Sequence, residues 1–406
     1  MAIGYLITQA RTAHDAIPIS GVRVSIFDDQ GNSIYELITD ESGETQAVPL
    51  ETVDKSFSQN QYFSGIPYVS YNVLAQAAGF NSVYISDIPI FDKETATLPL
   101  NLIPMQNIQR GPNQTEIFIG SPAVAMPQMR NQEGANSIRP YVLRQVVIPN
   151  PITVHLGAPS SSASNVQVSF PDYIKNVVSS EIYPTWPEAA LTANIYAIIT
   201  FALNRVFTEW YRNKGYDFTI TSSTAYDHKW IPNRNVFESI SNVVDEIFSN
   251  YLSRPGVLQP ILTQYCDGKN VTCPNWMSQW GSKSLGDRGY TAIEILRNYY
   301  GSSMYINATD VISGIPSSYP GSPLRVGDSG DKVRQIQAQL NVISDAYPLI
   351  PKIAEDGIFG PETEEAVKTF QKIFKLTQDG IVGFQTWYKI SEIYVGVSRI
   401  AEGVAR

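Results

Sequence analysis

Two hydrophobic periods divide the chain. In GVRVSIFDD, Val22, Val24 and Ile26 alternate with polar positions, which predicts a half-buried strand, and the DQGN after it predicts a turn. SIYELITDESGET puts Tyr35, Leu37 and Thr39 on one face before a second turn at Asp40 to Gly43. YNVLAQAAGFNSVYISDIPIF holds two more strands broken at Gly79, and TLPLNLIP closes the series. Short strands separated by turns predict a small β-sandwich over residues 1–103. Residues 104–140 are rich in Pro, Gly, Asn and Gln and show no sustained period, so they read as a solvent-exposed linker.

Residues 141–316 read as an α+β domain. Strands return in VVIPNPITVHLG and NVQVSF, and FPDYIKNVVSSEIYPTW begins a helical pattern. PEAALTANIYAIITFALNRVFTEWYR is the strongest helix, with Pro187 at its start, Leu191, Ile195, Ile198, Ala202 and Val206 at helical spacing, and Gly215 beyond its end. NVFESISNVVDEIFSNYL is a second amphipathic helix, and TAIEILRNYY a shorter one closed by Gly301. A Pro-Gly-Ser linker at 317–323 leads into three short helices over 324–395.

Composition narrows the functional classes. Among 406 residues, 29 basic and 38 acidic ones give a net charge of −9, which argues against nucleic acid as a partner. An acidic surface with 23 Tyr and 16 Phe suits a neutral ligand met by stacking and hydrogen bonding, as carbohydrate is. No apolar run approaches the roughly 20 residues that span a bilayer, and MAIGYLITQARTAHD lacks the basic start of a signal peptide. Cys266 and Cys273 cannot staple a fold of this size, and the sequence leaves a local disulfide or two thiols open. The histidines are His14, His155 and His228. A zinc site of two Cys and two His is hard to assemble from them, although Cys266, Cys273 and His228 remain a zinc alternative. No metal or cofactor is expected.

LRVGDSGDKVRQIQAQL, DGIFGPETEEAVKTFQKIFKL and DGIVGFQTW resemble the peptidoglycan-binding three-helix module of cell-wall hydrolases. The Asp356-Gly357 and Asp379-Gly380 turns carry the likeness, and Val333, Leu340, Ala366, Val367 and Phe370 sit at core spacing. The resemblance implies recognition of wall glycan or its stem peptide, with Asp356, Phe359 and Thr363 as the candidate binding rim.

DYIKNVVSSEIYPTWPEAALTANIYAIITFALNR and CPNWMSQWGSKSLGDRGYTAIEILRNYYG resemble the opening and closing motifs of the sporulation stage II protein D family. That family cleaves peptidoglycan glycan strands as lytic transglycosylases. Its catalytic glutamate falls on Glu181, among Val177, Val178, Ile182, Tyr183 and Trp186. One carboxyl group suffices where the C6 hydroxyl of muramic acid replaces water, whereas hydrolytic glycosidases ordinarily use two. Apolar surroundings would raise the Glu181 pKa toward the working pH. Ser278 and Gln279 are candidates to bind sugar or acetamido groups, Trp280 to stack on a ring or to pack in the core, and Glu188 is the rival carboxylate, better read as a helix-start charge. Ile199 and Ala189 stand where the family carries Arg and a second Glu.

The order of a transthyretin-like β domain, a linker, this catalytic domain and a wall-binding module resembles the SleC-type spore cortex-lytic enzymes. The resemblance implies location in the spore without a signal peptide, and cortex glycan with muramic δ-lactam as substrate. It also implies a precursor activated at germination by a serine protease cutting in the linker. The competing reading is a non-catalytic wall-binding protein or regulator of another wall hydrolase, for which the two departures argue and against which the retained Glu181 and both motifs argue.

Overall fold

The computed structural model describes residues 2–12, 17–105, 114–122, 143, 145–313, 320 and 322–398. His14 and most of the expected activation linker lie outside them. The chain forms two compact units, one of Met1–Val53, Tyr68–Gly120 and Ser318–Arg406, the other of Asp54–Pro67 and Ser121–Ser317.

The first unit opens with β1 (Ala2–Thr12), β2 (Ile17–Pro18), β3 (Arg23–Phe27), β4 (Ser33–Ile38), β5 (Val48–Thr52), β6 (Val69–Gln76), β7 (Ser82–Ile90) and β8 (Thr95–Asn101). One sheet is centred on β1, which runs antiparallel to β2 and β5 and parallel to β8. The opening AIGYLITQART, weighed above only as a leader, is thus a central strand. In the other sheet the order is β4-β3-β6-β7. Val22, Val24 and Ile26 are fully buried, as their alternation predicts. Gly79, at φ +83, makes the break between β6 and β7. A ninth strand, β9 (Gln114–Phe118), lies parallel to β7 inside the stretch read as linker. Its side chains are mostly exposed, so no hydrophobic alternation marks it in the sequence.

The second unit is built around α1 (Phe170–Glu181) and α2 (Glu188–Phe207), with α3 (Glu238–Ile247), α4 (Gln279–Asp287) and α5 (Ala292–Tyr300) against them. The α2 helix is long and apolar enough to cross a membrane by length and composition, yet 83% of that stretch is buried within the protein. It is apolar on all sides because helices and a strand surround it. Three short strands, Ile152–His155, Asn165–Val168 and Ile220–Thr221, form one small sheet, and Asn165 and Ser161 hold His155 through its two ring nitrogens. The helix expected over NVFESISNVVDEIFSNYL ends early: Asn250–Ser253 is a strand paired with Tyr305–Ala308. The α5 helix has a full capping box from Thr291 and Glu294, and Gly301 closes it at φ +96.

The C-terminal module comprises α6 (Asp331–Ala346), α7 (Pro361–Ile373) and α8 (Phe384–Ser398) around a core that includes Val333, Leu340, Phe370 and Trp387. Two glutamines repeat one device. The Gln337 amide donates to Asp356 Oδ1, the Ile358 carbonyl and Thr363 Oγ1, while its oxygen accepts from Gly357 N–H. Gln371 does the same for Asp379, Ile381, Thr386 and Gly380. Each knot ties a DG turn to the helix before it and to the start of the next. The expected rim therefore needs correction. Phe359 is 1% exposed and Thr363 3%, both packed inward, because the turn places Ile358 outward instead. Asp356 is at the surface, but its carboxylate is engaged by Gln337 and the Ile358 N–H. Within the same unit the module meets the β sheets: Lys375 pairs with Glu44 at 3.1 Å, and the Arg11 guanidinium lies 5.1 Å from the Phe374 ring centre.

Candidate active site

Glu181 is the last residue of α1, and the chain turns extended at Ile182. Ser169 caps the other end of the helix by accepting from Asp172 N–H. Nearly every side chain of α1 is buried, so Glu181 is carried into the interior of the unit, 5% exposed. Its Oε1 accepts from Lys229 N–H at 2.7 Å and its Oε2 from the Tyr265 hydroxyl at 2.6 Å. Burial pushes the carboxyl pKa up from 4.5 to about 7, against the pull of the Lys229 N–H, the Tyr265 hydroxyl and the Lys229 charge. The charged group bearing on it is Lys229, not a second carboxylate.

The residues 227–234 hold this arrangement. Asn176 on α1 donates to the Ile231 carbonyl and accepts from Ile231 N–H, and Arg234 donates to the Ser179 carbonyl. Asp227 anchors the segment's start, taking hydrogen bonds from Arg205, Tyr211 and Thr221. Burial raises the Tyr173 hydroxyl well above its usual pKa and lowers His228 to about 3, so a phenol and a neutral imidazole share a hydrogen bond at Nδ1. His228, named above only within the zinc alternative, lies 1% exposed behind the glutamate, its ring near Phe201 and Tyr265. Sequence reasoning missed Tyr265 and Lys229 altogether. The one local signal was a histidine beside an acid in AYDHKW, and nothing in the sequence links it to Glu181 across nearly fifty positions.

The closing motif supplies a second wall. Trp280 packs against Trp186, with ring centres 4.9 Å apart, and edge-on against Tyr183. It is largely buried and packs against both rings. Gln279 is buried with its amide nitrogen free of any protein partner. The Ser278 hydroxyl caps α4 by accepting from Gly281 N–H. It also lines a cleft of about 310 Å³ with Lys269, Asn270, Thr272, Trp276 and Tyr299. Glu188 is exposed in the first turn of α2, where an acid offsets the helix dipole, and it is not joined to Glu181 by any contact described. Cys266 and Cys273 form a disulfide that closes the loop beside Tyr265. Its sulfurs are therefore not thiolates available to a metal.

Residues 160–251 match the family model of the stage II sporulation protein, and residues 329–390 that of the peptidoglycan binding domain. A zinc D-Ala-D-Ala carboxypeptidase of Streptomyces albus G is 41% identical over 71 residues, 17% of this chain and 26% of that one. An uncharacterized protein in the bpoA1 3' region of Kitasatospora aureofaciens is 44% identical over 64 residues, 16% of this chain and 50% of that one. The chain thus spans between a quarter and a half of the length of these curated relatives. Among solved structures, the SleB N-terminal domain is 28% identical, covering 19% of this chain and 97% of that one, with a TM-score of 0.17. This chain is multidomain, carrying a stage II sporulation protein domain followed by a helical peptidoglycan-binding domain. That order of domains is the one its motifs resemble.

Proposed function

We propose that the protein is a peptidoglycan lytic transglycosylase of the spore cortex, with Glu181 as its general acid and base. The observation that carries this reading is a buried carboxyl group poised near pKa 7, with no carboxylate contributing to its shift. Protonated Glu181 gives its proton to the leaving glycosidic oxygen. As carboxylate it then takes the proton of the muramic C6 hydroxyl, which attacks C1 of the same sugar and closes the 1,6-anhydro ring. Tyr265 and the Lys229 N–H hold both oxygens in place and steady the charge left after the first transfer. Gln279 and Ser278 are the proposed contacts for sugar hydroxyl or acetamido groups, the cortex δ-lactam sugar is the proposed substrate, and the C-terminal module keeps the enzyme on the wall. Mass spectrometry of products from purified cortex tests the chemistry: 1,6-anhydromuramyl ends are expected, and reducing ends alone would make the protein a hydrolase instead.

The working state of Glu181 is the acid, so cleavage is expected to decline as pH rises through about 7. Tyr265→Phe removes a hydrogen bond that favours the carboxylate, and should move that alkaline limb to higher pH. A pH–rate profile of the two proteins on cortex glycan checks the direction.

In the same reading, the N-terminal sheets form a transthyretin-like sandwich that keeps the intact chain a precursor, activated by a serine protease cutting between about 104 and 145. Most of that stretch lies outside the described residues. A chain beginning near Ser137 is expected to turn over cortex faster than the full chain. Equal turnover would remove the precursor role.

A further inference from the structure

Between β5 and β6 the chain leaves the sheets, and residues 54–67 belong to the unit that contains Glu181. This segment has no strand or helix of its own; it is a succession of tight turns, closed by Phe57 N–H to Asp54, Gln59 N–H to Lys55 and Phe63 N–H to Asn60. Four further hydrogen bonds join it to groups flanking the aromatic wall. The Ser58 hydroxyl meets Thr185 Oγ1 at 2.7 Å, and the Gln59 amide donates to the Thr185 carbonyl at 2.7 Å. Trp186 Nε1 donates to the Ser58 carbonyl at 3.1 Å. Lys269, whose ammonium lies 5.8 Å from the Trp280 ring centre, donates to the Phe63 carbonyl at 2.9 Å.

Thr185 and Trp186 follow Glu181 by four and five positions, and Lys269 stands in the disulfide-closed loop a few residues after Tyr265. The groups the segment engages are a hydroxyl, a peptide carbonyl, an indole N–H beside a second indole, and an ammonium. That set matches an N-acetylated amino sugar: ring hydroxyls for the Thr185 oxygens, an acetamido carbonyl for the indole N–H, an apolar ring face for tryptophan, and a carboxylate or carbonyl for lysine. Ser58 and Gln59 offer the same chemistry from the protein side, a hydroxyl, a carbonyl and a primary amide.

We propose that Thr185, Trp186, Trp280 and Lys269 form a binding subsite for an N-acetylhexosamine unit of the glycan, and that segment 54–67 occupies it in the intact chain. This rests on the reading of Glu181 as the glycan-cleaving acid only for its purpose; the subsite itself rests on the contacts. A segment tethered at both ends competes at high effective concentration, so glycan binds only in the fraction of molecules from which it has lifted. A proteolytic cut after residue 104 breaks the chain between the residues that contain Glu181 and the N-terminal sheets that hold both ends of the segment, and lets the segment leave with those sheets.

The test replaces residues 55–66 by a Gly-Ser run of equal length in the full chain and measures binding of N-acetylglucosamine tetramer by tryptophan fluorescence. Turnover of purified cortex is followed in parallel. Binding is expected to tighten by about 10–100-fold, as it should if the open fraction is about 1–10% in the parent. Tyr62→Ala, at a side chain 87% exposed and outside these contacts, should leave binding unchanged. Should the replacement fail to fold, Ser58→Ala with Gln59→Ala in the full chain is expected to tighten binding at least threefold. Equal affinity in the parent and the folded variant overturns the occupancy, and absence of binding in both overturns the subsite. Tighter tetramer binding without any cortex cleavage would uphold the subsite while removing the lytic reading.

Discussion

Glu181→Gln is expected to lower glycan cleavage by about 10²–10⁴-fold, the usual contribution of one general acid or base. The amide is the same size and can keep both present contacts in altered form, so the loss reports the missing proton rather than a collapsed site. Wall sedimentation should persist, since the peptidoglycan-binding domain lies in the other unit. The same change has a second, opposite signature. Folding raises the Glu181 pKa from 4.5 to about 7, so the fold prefers the neutral acid. Its stability is therefore fully present below about 4.5 and declines as pH rises toward 7, where the buried group must ionise. Gln cannot ionise. The variant is expected to melt higher than the parent above pH 7 and to lose that advantage near pH 4. Activity within threefold of the parent on dye-labelled cortex would sink the assignment.

Asp245→Ala is expected to destabilise the central unit by about 3–5 kcal/mol, the range for breaking a buried ion pair from one side. Lys175 of α1 and Asp245 of α3 meet at 2.6 Å with side chains 9% and 1% exposed. Removing the carboxylate leaves an ammonium buried between two helices, with little water to receive it. Because α1 ends in Glu181, a loosened α1 should also lower glycan cleavage, in contrast to Glu181→Gln, which acts on cleavage without destabilising the fold. Urea titration followed by tryptophan fluorescence separates the two. A midpoint unmoved by Asp245→Ala would show that the pair contributes nothing net. Lys175→Met paired with Asp245→Leu should recover most of the loss, since a well-packed apolar pair avoids the desolvation penalty altogether.

Much of this protein is determined locally and is therefore legible in the sequence. Strand alternation at Val22, Val24 and Ile26 and turn chemistry at Gly79 and Gly301 act within a few residues. So do the DG turns of the C-terminal module, and the helix that delivers Glu181 reads out over a dozen residues. What surrounds the carboxylate is not local. Tyr265, Lys229 and the anchors at Asp227 reach it or its supporting segment from distant parts of the chain, and none carries a period or motif of its own. The helix-to-strand change at Asn250 depends on a partner, Tyr305–Ala308, that exists only once the chain has folded back. Phe359 and Thr363 look like surface positions until the Gln337 knot draws them inward. Periodicity records which face of an element is apolar, whereas burial of a charge and the hydrogen bonds that accompany it depend on which elements meet. The acid was in the sequence; its pKa near 7 belongs to the tertiary structure, because desolvation is done by neighbours from elsewhere in the chain.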